Sequence, residues 1–465
     1  MTSLLTPLAH PVYRRLLAAQ IVALFGTGLA TVALGLLAYE LAGADAGLVL
    51  GIALAIKMVA YVIIAPVAGA FATTLPRRRV LVAADLVRLA AALMLPFVDA
   101  VWQIFGLIFV LQAASAVFTP VFQATIPDVL EDEATYTNAL SLSRLAYDLE
   151  ALLSPAIAAL LLLVVSFPWL FDGTAIGFLA SALLVLSVRL PGAAPKDDDT
   201  IGSRLKRGLA IFRHTPRLKA LLWINIAVAA AGAMVIVNTV VLVRASLDGG
   251  DVKVAVALAA AGAGSMIAAL VLPRVLARWS DRAVMLGACF LLAAGMAAGF
   301  LLFLKAAPTF SALLVLWFVL GVANAAALTP VGRLLRRSTQ AEDRPPVFAA
   351  QFALSHACWL ITYPLAGWLG VAVGLDVCFV VLGGLALIAS LAAWRQWPVS
   401  DQGALWHHHE AVRHQHQHVH DEHHQHEHEG WEGPEPHSHP HRHGRIRHRH
   451  AYVIDRHHPL WPQAD

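Results

Sequence analysis

The chain has 465 residues, of which 58% are hydrophobic and 14% are charged, and its formal net charge is +3. Soluble globular domains carry roughly 45–50% apolar and about 25% charged residues, so this composition excludes a water-soluble globule. The three cysteines, Cys289, Cys358 and Cys378, all lie in apolar runs and indicate no disulfide framework.

The apolar residues form twelve runs, each long enough to cross the roughly 30 Å hydrocarbon core of a bilayer as a helix. Continuous apolarity without alternation excludes a transmembrane barrel. We therefore predict an all-α polytopic membrane protein with twelve transmembrane helices. The predicted spans are 16–41, 46–72, 80–98, 101–123, 139–165, 171–190, 219–244, 252–273, 283–304, 310–335, 346–370 and 373–397.

Basic residues cluster in alternate loops between these spans. When the amino terminus is placed in the cytoplasm, the clusters around Arg14, Arg77, Arg213 and Arg336 all fall inside, as the positive-inside rule requires. We therefore predict a multi-pass protein of the bacterial inner membrane with both termini in the cytoplasm. Its expected partner at this point is the lipid bilayer, with no nucleic acid and no obligatory protein partner.

Two six-helix halves are indicated by an internal repeat. Thr119–Pro120 recurs as Thr329–Pro330, and Pro155 recurs as Pro364 at nearly the same offset. Paired six-helix halves are a common architecture of secondary transporters. The predicted units are a first half at 1–190, a cytoplasmic linker at 191–218, a second half at 219–397 and a tail at 398–465.

The loop after the second span keeps a glycine and an arginine cluster, and Trp279–Ser280–Asp281–Arg282 follows the eighth span. With these motifs, residues 10–397 resemble the Major Facilitator Superfamily, although Thr73 occupies a position that is usually acidic there. The segments Asp85–Arg88, Phe118–Pro120 and Asn138–Leu140 resemble its branch of siderophore and macrolide exporters, which implies export. The structural or gating candidates are Gly69, Arg77, Arg78, Asp85, Arg88, Asp281 and Arg282.

Ionisable residues within the spans are costly and therefore mark candidate sites. In the fifth span, Arg144, Asp148 and Glu150 lie close together, and a carboxylate there can hold either a proton or a metal cation. A structural Arg144–Asp148 pair that locks two helices is the alternative. Asp85 and Arg88, three residues apart, are expected to form a structural pair near the cytoplasmic end of the third span.

Two further ionisable residues are transport or proton-coupling candidates. Lys57 in the second span either pairs with a carboxylate from another helix or biases the cavity toward anions. His356 in the eleventh span is either a polar contact between helices or a ligand for substrate or proton. For each of the two residues, both interpretations stay open.

The tail holds 19 of the 22 histidines, interleaved with Gln, Glu and Pro. Its low apolarity predicts a disordered segment, and imidazole is a good ligand for Ni²⁺, Co²⁺ and Zn²⁺. An affinity tag would be one uninterrupted run; a pH-responsive tail with incidental metal binding remains the alternative. The candidate metal ligands are His407, His408, His409, His414, His416, His418, His420, His423, His424, His426, His428, His437, His439, His441 and His443.

With this tail, the chain resembles the bacterial nickel-resistance permeases of the same superfamily. The resemblance implies efflux of Ni²⁺, with Co²⁺ as a further candidate, and metal resistance. The sequence contains no Gly-x-x-x-x-Gly-Lys-[Ser/Thr] motif, so we predict proton antiport rather than ATP-driven transport, with no enzymatic activity and no cofactor. Alternatives are an exporter of an organic solute, siderophore or drug, with a metal-sensing or buffering tail, and a membrane-anchored metal sensor or store.

Overall fold

The computed structural model describes residues 5–71, 76–130, 132–190, 201–304, 309–339 and 343–399, together with four short tail segments. These residues form a helical bundle, which confirms the predicted fold class. The helices are α1 Pro11–Ala42, α2 Ala46–Phe71, α3 Arg77–Met94, α4 Val101–Val129, α5 Glu133–Leu161, α6 Pro168–Leu186, α7 Ile201–His214, α8 Pro216–Val241, α9 Asp251–Leu276, α10 Asp281–Leu304, α11 Phe310–Leu328, α12 Val331–Arg337, α13 Arg344–Ala372 and α14 Leu375–Gln396.

Eleven of the twelve predicted spans each coincide with one long helix, and the tenth, 310–335, is covered by α11 and α12. Within the described ranges, nine stretches are long and apolar enough to cross a membrane, and the first of them, Pro11–Ala65, takes in α1 and most of α2. The helices α5 and α13, each 29 residues long, lie outside those stretches. Both carry polar residues at mid-length, including Glu150 and His356, and these are the helices in which polar transport candidates were predicted.

The prolines of the predicted repeat have matching positions in one pair of helices and different positions in the other. Pro155 and Pro364 both lie inside their helices, α5 and α13. Pro330, in contrast, separates α11 from α12, so the predicted span 310–335 is broken there, because proline lacks the N–H of the helical ladder and clashes with the preceding turn. Its counterpart Pro120 lies inside α4.

The two halves meet along α2 with α13 and along α5 with α9. At the first of these seams, Gly47 and Gly51 of α2 bring the helix backbones close together. A Cβ on Gly51 would lie 2.5 Å from the Tyr363 carbonyl oxygen, and a Cβ on Gly367 would overlap the Gly47 carbonyl. Small residues four apart allow this close approach, which fixes the position of α2 against α13.

The segment predicted as a polar linker contains a helix, α7, which the sequence analysis did not anticipate. Its residues Ile211 and Phe212 are buried, and Arg207 forms a salt bridge with Asp343 just before α13. Gly208 lies directly against the Pro346 carbonyl. The linker is therefore packed onto the second half, because its apolar residues recur with helical spacing.

Four short segments of the tail are described, and they are strands: β1 Leu405–His409, β2 Arg413–His418, β3 His437–Arg442 and β4 Ile446–His450. The disorder predicted for the tail as a whole stays a prediction. Strand β1 pairs with β4 and β2 with β3, both antiparallel. Histidine alternates with other residues along these segments, which is the two-residue period of a strand. Composition alone does not reveal this pattern. The other predicted tail ligands, His420, His423, His424, His426, His428 and His443, lie outside the described residues.

Candidate functional site

A cavity of about 340 Å³ lies between the two halves. Its walls come from both halves, and most lining side chains are apolar, which follows from the apolar character of the helices that build it. Among the described lining residues Glu150 is the only ionisable one. The polar or aromatic lining residues are Thr31, Glu150, Ser154, Thr239, Ser265, Asn324 and Trp359.

Glu150 reaches this cavity from the middle of α5, as its prediction as a transport residue requires. Its carboxylate packs against the backbone of α1, because Gly28 leaves room for it: a Cβ at Gly28 would lie 2.6 Å from Oε1 of Glu150. Ser154, one helical turn further along α5, lies against the same glycine. The Ser154 hydroxyl is buried and has no hydrogen-bond partner among the described residues. The carboxylate and this hydroxyl together form the polar corner of the cavity.

The variant Gly28→Ala is expected to displace this corner, because the new methyl group would overlap Ser154 and press on Glu150. Overpacking of this kind costs about 1–3 kcal/mol. We expect a lower melting temperature and weaker transport. Gly106→Ala on α4 is the control, since a Cβ there would meet nothing within 4 Å and Gly106 is not among the described lining residues. Equal effects of the two variants would contradict the assignment.

Lys57 lies on α2 and interacts electrostatically with both Glu150 and His356. Pairing of Lys57 with a carboxylate from another helix and a bias of the cavity toward anions therefore both stay open as interpretations. These three groups bring together charges from both halves of the protein.

His356 lies at the α2–α13 seam rather than among the described lining residues of the cavity. Its ring stacks on Tyr61, with centroids 5.6 Å apart, and packs against Phe352. Its Nδ1 lies 2.7 Å from the Phe352 carbonyl oxygen, and because that oxygen only accepts, Nδ1 carries a proton. Nε2 is therefore the atom that remains as a proton acceptor or metal ligand in the neutral ring.

The other two candidates on α5, Arg144 and Asp148, have side chains outside the described residues. Their proposed ion pair and their role in proton coupling therefore stay predictions. In the described part of the chain, no group of three His, Cys, Asp or Glu side chains is placed to hold a metal ion.

Asp85 and Arg88 form the predicted ion pair, but they lie at the middle of α3 rather than near its end, because the helix already begins at Arg77. Ser181 donates a hydrogen bond of 2.8 Å to Asp85. The Arg88 guanidinium lies between the rings of Phe118 and Phe178, 4.3 and 4.5 Å from their centroids. Both charges are buried and paired with each other, which is typical of a structural pair, although the buried Nε of Arg88 has no hydrogen-bond partner among the described residues.

A gating candidate forms an ion pair in each half. The residue at the helix start is the base in the first half and the acid in the second. Arg77 at the start of α3 binds Asp128 near the end of α4. In the second half, Asp281 at the start of α10 binds Arg333, just beyond α11, and also lies 3.6 Å from Arg337. Asp128 is thus the acid that pairs with the arginine cluster of the first half.

Three further gating candidates differ in what they contact. Arg78 donates to the carbonyl of Leu186 at the end of α6. Arg282 donates from Nε to the carbonyl of Trp397, 2.9 Å away. Gly69 lies in the last turns of α2, and its surroundings are outside the described residues.

The sequence analysis did not single out Trp359 or Ser265. Trp359 lies three residues after His356 on α13, and its indole edge occupies the space that a side chain at Gly232 would need. Ser265 donates to the Gly321 carbonyl at 2.9 Å. The positions of these two residues in their apolar helices give no sequence signal of a site. Gly232, which leaves room for the Trp359 ring, reflects their close contact.

Comparison with known proteins places these features in a wider context. The model of the Major Facilitator Superfamily matches residues 16–301 and 238–406. Macrolide efflux protein A of Enterococcus faecalis is 26% identical over 173 residues, covering 36% of this chain and 53% of that protein. The protein of the same name in Streptococcus pyogenes is 25% identical over 186 residues, covering 38% and 46%. The chain thus spans about half the length of the macrolide efflux proteins it matches.

Solved transporter structures share the fold at low sequence identity. A mutant of the nucleoside transporter NupG superimposes with a TM-score of 0.66 at 14% identity, covering 83% of this chain and all of that one. A D-xylose-proton symporter gives a TM-score of 0.62 at 14% identity, with coverages of 84% and 98%.

Proposed function

Because the chain belongs to the Major Facilitator Superfamily, we propose that it is a secondary active exporter of divalent metal cations, Ni²⁺ first and Co²⁺ second, driven by the proton gradient. In this proposal it is a multi-pass protein of the bacterial inner membrane with both termini in the cytoplasm. Export confers metal resistance, and the macrolide efflux relatives support the outward direction.

The observation that carries this proposal is the position of Glu150 in the cavity between the halves. A buried carboxylate is stable when it holds either a proton or a cation, and it is poorly stable when it holds neither. Protons from outside therefore displace the cargo, and cargo from inside displaces the proton. Lys57 neutralises Glu150 between these two states.

The tail supports a metal cargo. In the β2–β3 register, His414, His416 and His418 lie opposite His441, His439 and His437. Histidine is a preferred ligand of Ni²⁺, Co²⁺ and Zn²⁺. The tail collects or senses metal and raises its concentration beside the transporter.

The test is accumulation of radioactive nickel in cells that express the full chain, with and without a protonophore. Lower accumulation that the protonophore reverses is the expected result. Unchanged accumulation, with the intact protein present in the membrane, would overturn the metal cargo. Immunoblotting of the membrane fraction provides the check on expression.

A second candidate cargo is an organic solute, and the specific observation in its favour is the apolar lining of the cavity. Drug-sized ligands occupy largely apolar pockets of roughly 300–1,000 Å³, a range that includes this cavity. The macrolide efflux relatives support this candidate as well. Susceptibility to macrolides and other drugs, compared with nickel tolerance in the same cells, discriminates between the two cargoes.

Deletion of residues 398–465 is expected to lower resistance at low nickel concentration and to leave efflux at high concentration largely unchanged. The physical reason is that the tail raises the local metal concentration without forming the path through the membrane. The measurement is growth across a nickel series. A chain of full length with glutamine at every tail histidine is the matched control, and it should behave like the deletion. Wild-type growth of this control would rule out a metal-binding role of the histidines.

A further inference from the structure

One face of α5 carries a line of polar side chains. Ser143, Tyr147, Glu150 and Ser154 are spaced four, three and four residues apart, so they lie on one side of the helix. At 1.5 Å per residue, this polar line is about 16 Å long. Glu150 and Ser154 line the cavity, whereas Ser143 and Tyr147 are not among its described lining residues. The polar line therefore continues beyond the cavity, toward the end at which α5 begins.

Helix α1 covers this polar line. Near the start of both helices, the Tyr13 phenol donates a hydrogen bond of 2.9 Å to the carbonyl of Ala139. Near mid-length, Gly28 lies against Ser154. Tyr13 and Ala139 are 126 positions apart, and so are Gly28 and Ser154. The two helices therefore run parallel, with one register from the first contact to the second.

This register places Gln20 of α1 opposite the part of α5 that lies between Ser143 and Tyr147. In agreement, the Gln20 side chain lies beside the Tyr147 phenol. Helix α1 contacts α6 through Val22 and Gly26, which lie on its opposite face. Gln20 is 5% exposed, so its amide belongs to the interface of α1 and α5.

Three side-chain atoms of this interface are buried and have no hydrogen-bond partner in the described part of the chain. They are Oε1 of Gln20, Oγ of Ser143 and Oγ of Ser154. Buried polar groups in proteins are paired with other protein groups or with ordered water. A buried water molecule typically makes about three hydrogen bonds to groups of this kind. The three atoms therefore indicate that water binds between α1 and α5.

Glu150 borders both the cavity and this interface. Its side chain lines the cavity, yet its Oε1 is directed at α1, where a Cβ on Gly28 would lie 2.6 Å away. At the other end of the polar line, Tyr136 lies two turns before Ser143 on the same face and is only partly buried. In the proposed topology, this end of α5 faces the cytoplasm. The polar line thus extends from Glu150 toward the cytoplasmic surface.

We infer that bound water between α1 and α5, together with Gln20 and the hydroxyls of Ser143 and Tyr147, forms a proton pathway from Glu150 to the cytoplasm. Each water or hydroxyl accepts one proton and passes on the one that it carried, so the pathway itself is unchanged. The Oε1 atom of Gln20 orders the water by accepting a hydrogen bond. The inference rests on the proposed function, in which Glu150 exchanges cargo for a proton. It gives the proton a route apart from the cavity, and the two routes meet at Glu150.

The experiment follows deuteration of the Glu150 carboxyl group by time-resolved infrared spectroscopy on the purified full chain in lipid bilayers. The sample is kept at a pH low enough to protonate this carboxyl group, and H₂O is rapidly replaced by D₂O. The C=O stretching band shifts when the carboxyl proton is replaced by a deuteron. The difference between the wild type and Glu150→Gln assigns the band.

Tyr147→Phe and Gln20→Leu are expected to slow this exchange by about tenfold or more, the rate equivalent of one lost hydrogen bond. Ser143→Ala should act in the same direction. Tyr39→Phe on α1 and Ser390→Ala on α14 are the matched controls. They make the same chemical changes outside the polar line, and Ser390 donates within its own helix to the carbonyl of Ala386. Both controls should exchange at the wild-type rate.

Exchange at the wild-type rate in Tyr147→Phe and Gln20→Leu would overturn the pathway, since the proton would then reach Glu150 through the cavity. Equal slowing in the two controls would overturn it as well, because the effect would not depend on position. Circular dichroism and gel filtration establish that each variant is folded. If Gln20→Leu does not fold, the smaller changes Tyr147→Phe and Ser143→Ala still decide the question.

The infrared measurement needs no cargo, so its result is separate from that of the nickel assay. If exchange is slowed as expected while cells that express the chain export no nickel, the pathway stands and the proposed cargo falls. If nickel is exported and exchange is not slowed, the proposed function stands and the pathway falls.

Discussion

Cells that express the Glu150→Gln chain are expected to accumulate radioactive nickel to the level of cells without the transporter. Glutamine has nearly the same shape as glutamate, so the packing against Gly28 is kept. The amide, however, neither carries a charge nor takes up a proton at physiological pH. The exchange of cargo for proton therefore loses its acceptor, although the cavity itself remains.

The measurement is efflux from preloaded cells on addition of an energy source, with the amount of membrane protein determined in parallel. Glu40→Gln is the control, because this carboxylate is exposed at the far end of α1 and does not line the cavity. Full efflux by Glu150→Gln would show that another group carries the proton. Asp148, the second carboxylate predicted on α5, would be the next residue to replace.

Arg88→Met is expected to destabilise the protein strongly, because it leaves the fully buried Asp85 carboxylate without its counter-charge. Breaking a buried ion pair by removing one partner costs about 3–5 kcal/mol. The two phenyl rings that enclose the guanidinium also lose their cation. The observable is a large drop in the melting temperature of the purified protein in detergent.

The double variant Asp85→Leu/Arg88→Met should recover much of the lost stability, because it removes both charges at once and leaves an apolar contact. Arg79→Met, an exposed arginine at the start of α3, is the control and should melt close to the wild type. If the double variant is no more stable than Arg88→Met, the pair is held by something other than charge compensation. A loss of transport in a stable double variant would instead indicate a functional role for the pair.

The fold could be predicted from the sequence because the bilayer leaves few options. Runs of apolar residues in hydrocarbon must become helices, and their lengths alone locate twelve of them. What escaped prediction was packed against protein rather than lipid. Helix α7 is stabilised by Arg207 and Asp343 and by burial of Phe212, contacts that depend on where α13 begins.

The site could be predicted only where a residue was chemically out of place. Glu150, Lys57 and His356 attracted notice because charge or polarity is costly in a membrane; the structure places Glu150 at the cavity and His356 at the α2–α13 seam. Trp359 gave no such signal, since an aromatic residue is unremarkable in an apolar helix. Asp128 was missed as the partner of Arg77, because it lies 51 positions away along the chain.

The gating role of the two loops stays a prediction, whereas the structure shows how their charged residues are paired. The repeat suggested the same motif twice, yet the acid and the base exchange places between the halves. Sequence comparison of the two halves does not find this, because the partner of each charge comes from a different helix.

The end of α14 is fixed: Trp397 is 1% exposed, and its carbonyl accepts from Arg282 beside the Asp281–Arg333 pair. The first tail strand begins at Leu405, eight residues later. At 3.3–3.6 Å per residue, that strand starts at most about 28 Å from the anchor. A metal ion bound there is tethered, and tethering through a short segment corresponds to an effective concentration on the order of millimolar at that face of the bundle. In the proposed function, metal held by this strand therefore stays within that distance of the Asp281–Arg333 pair.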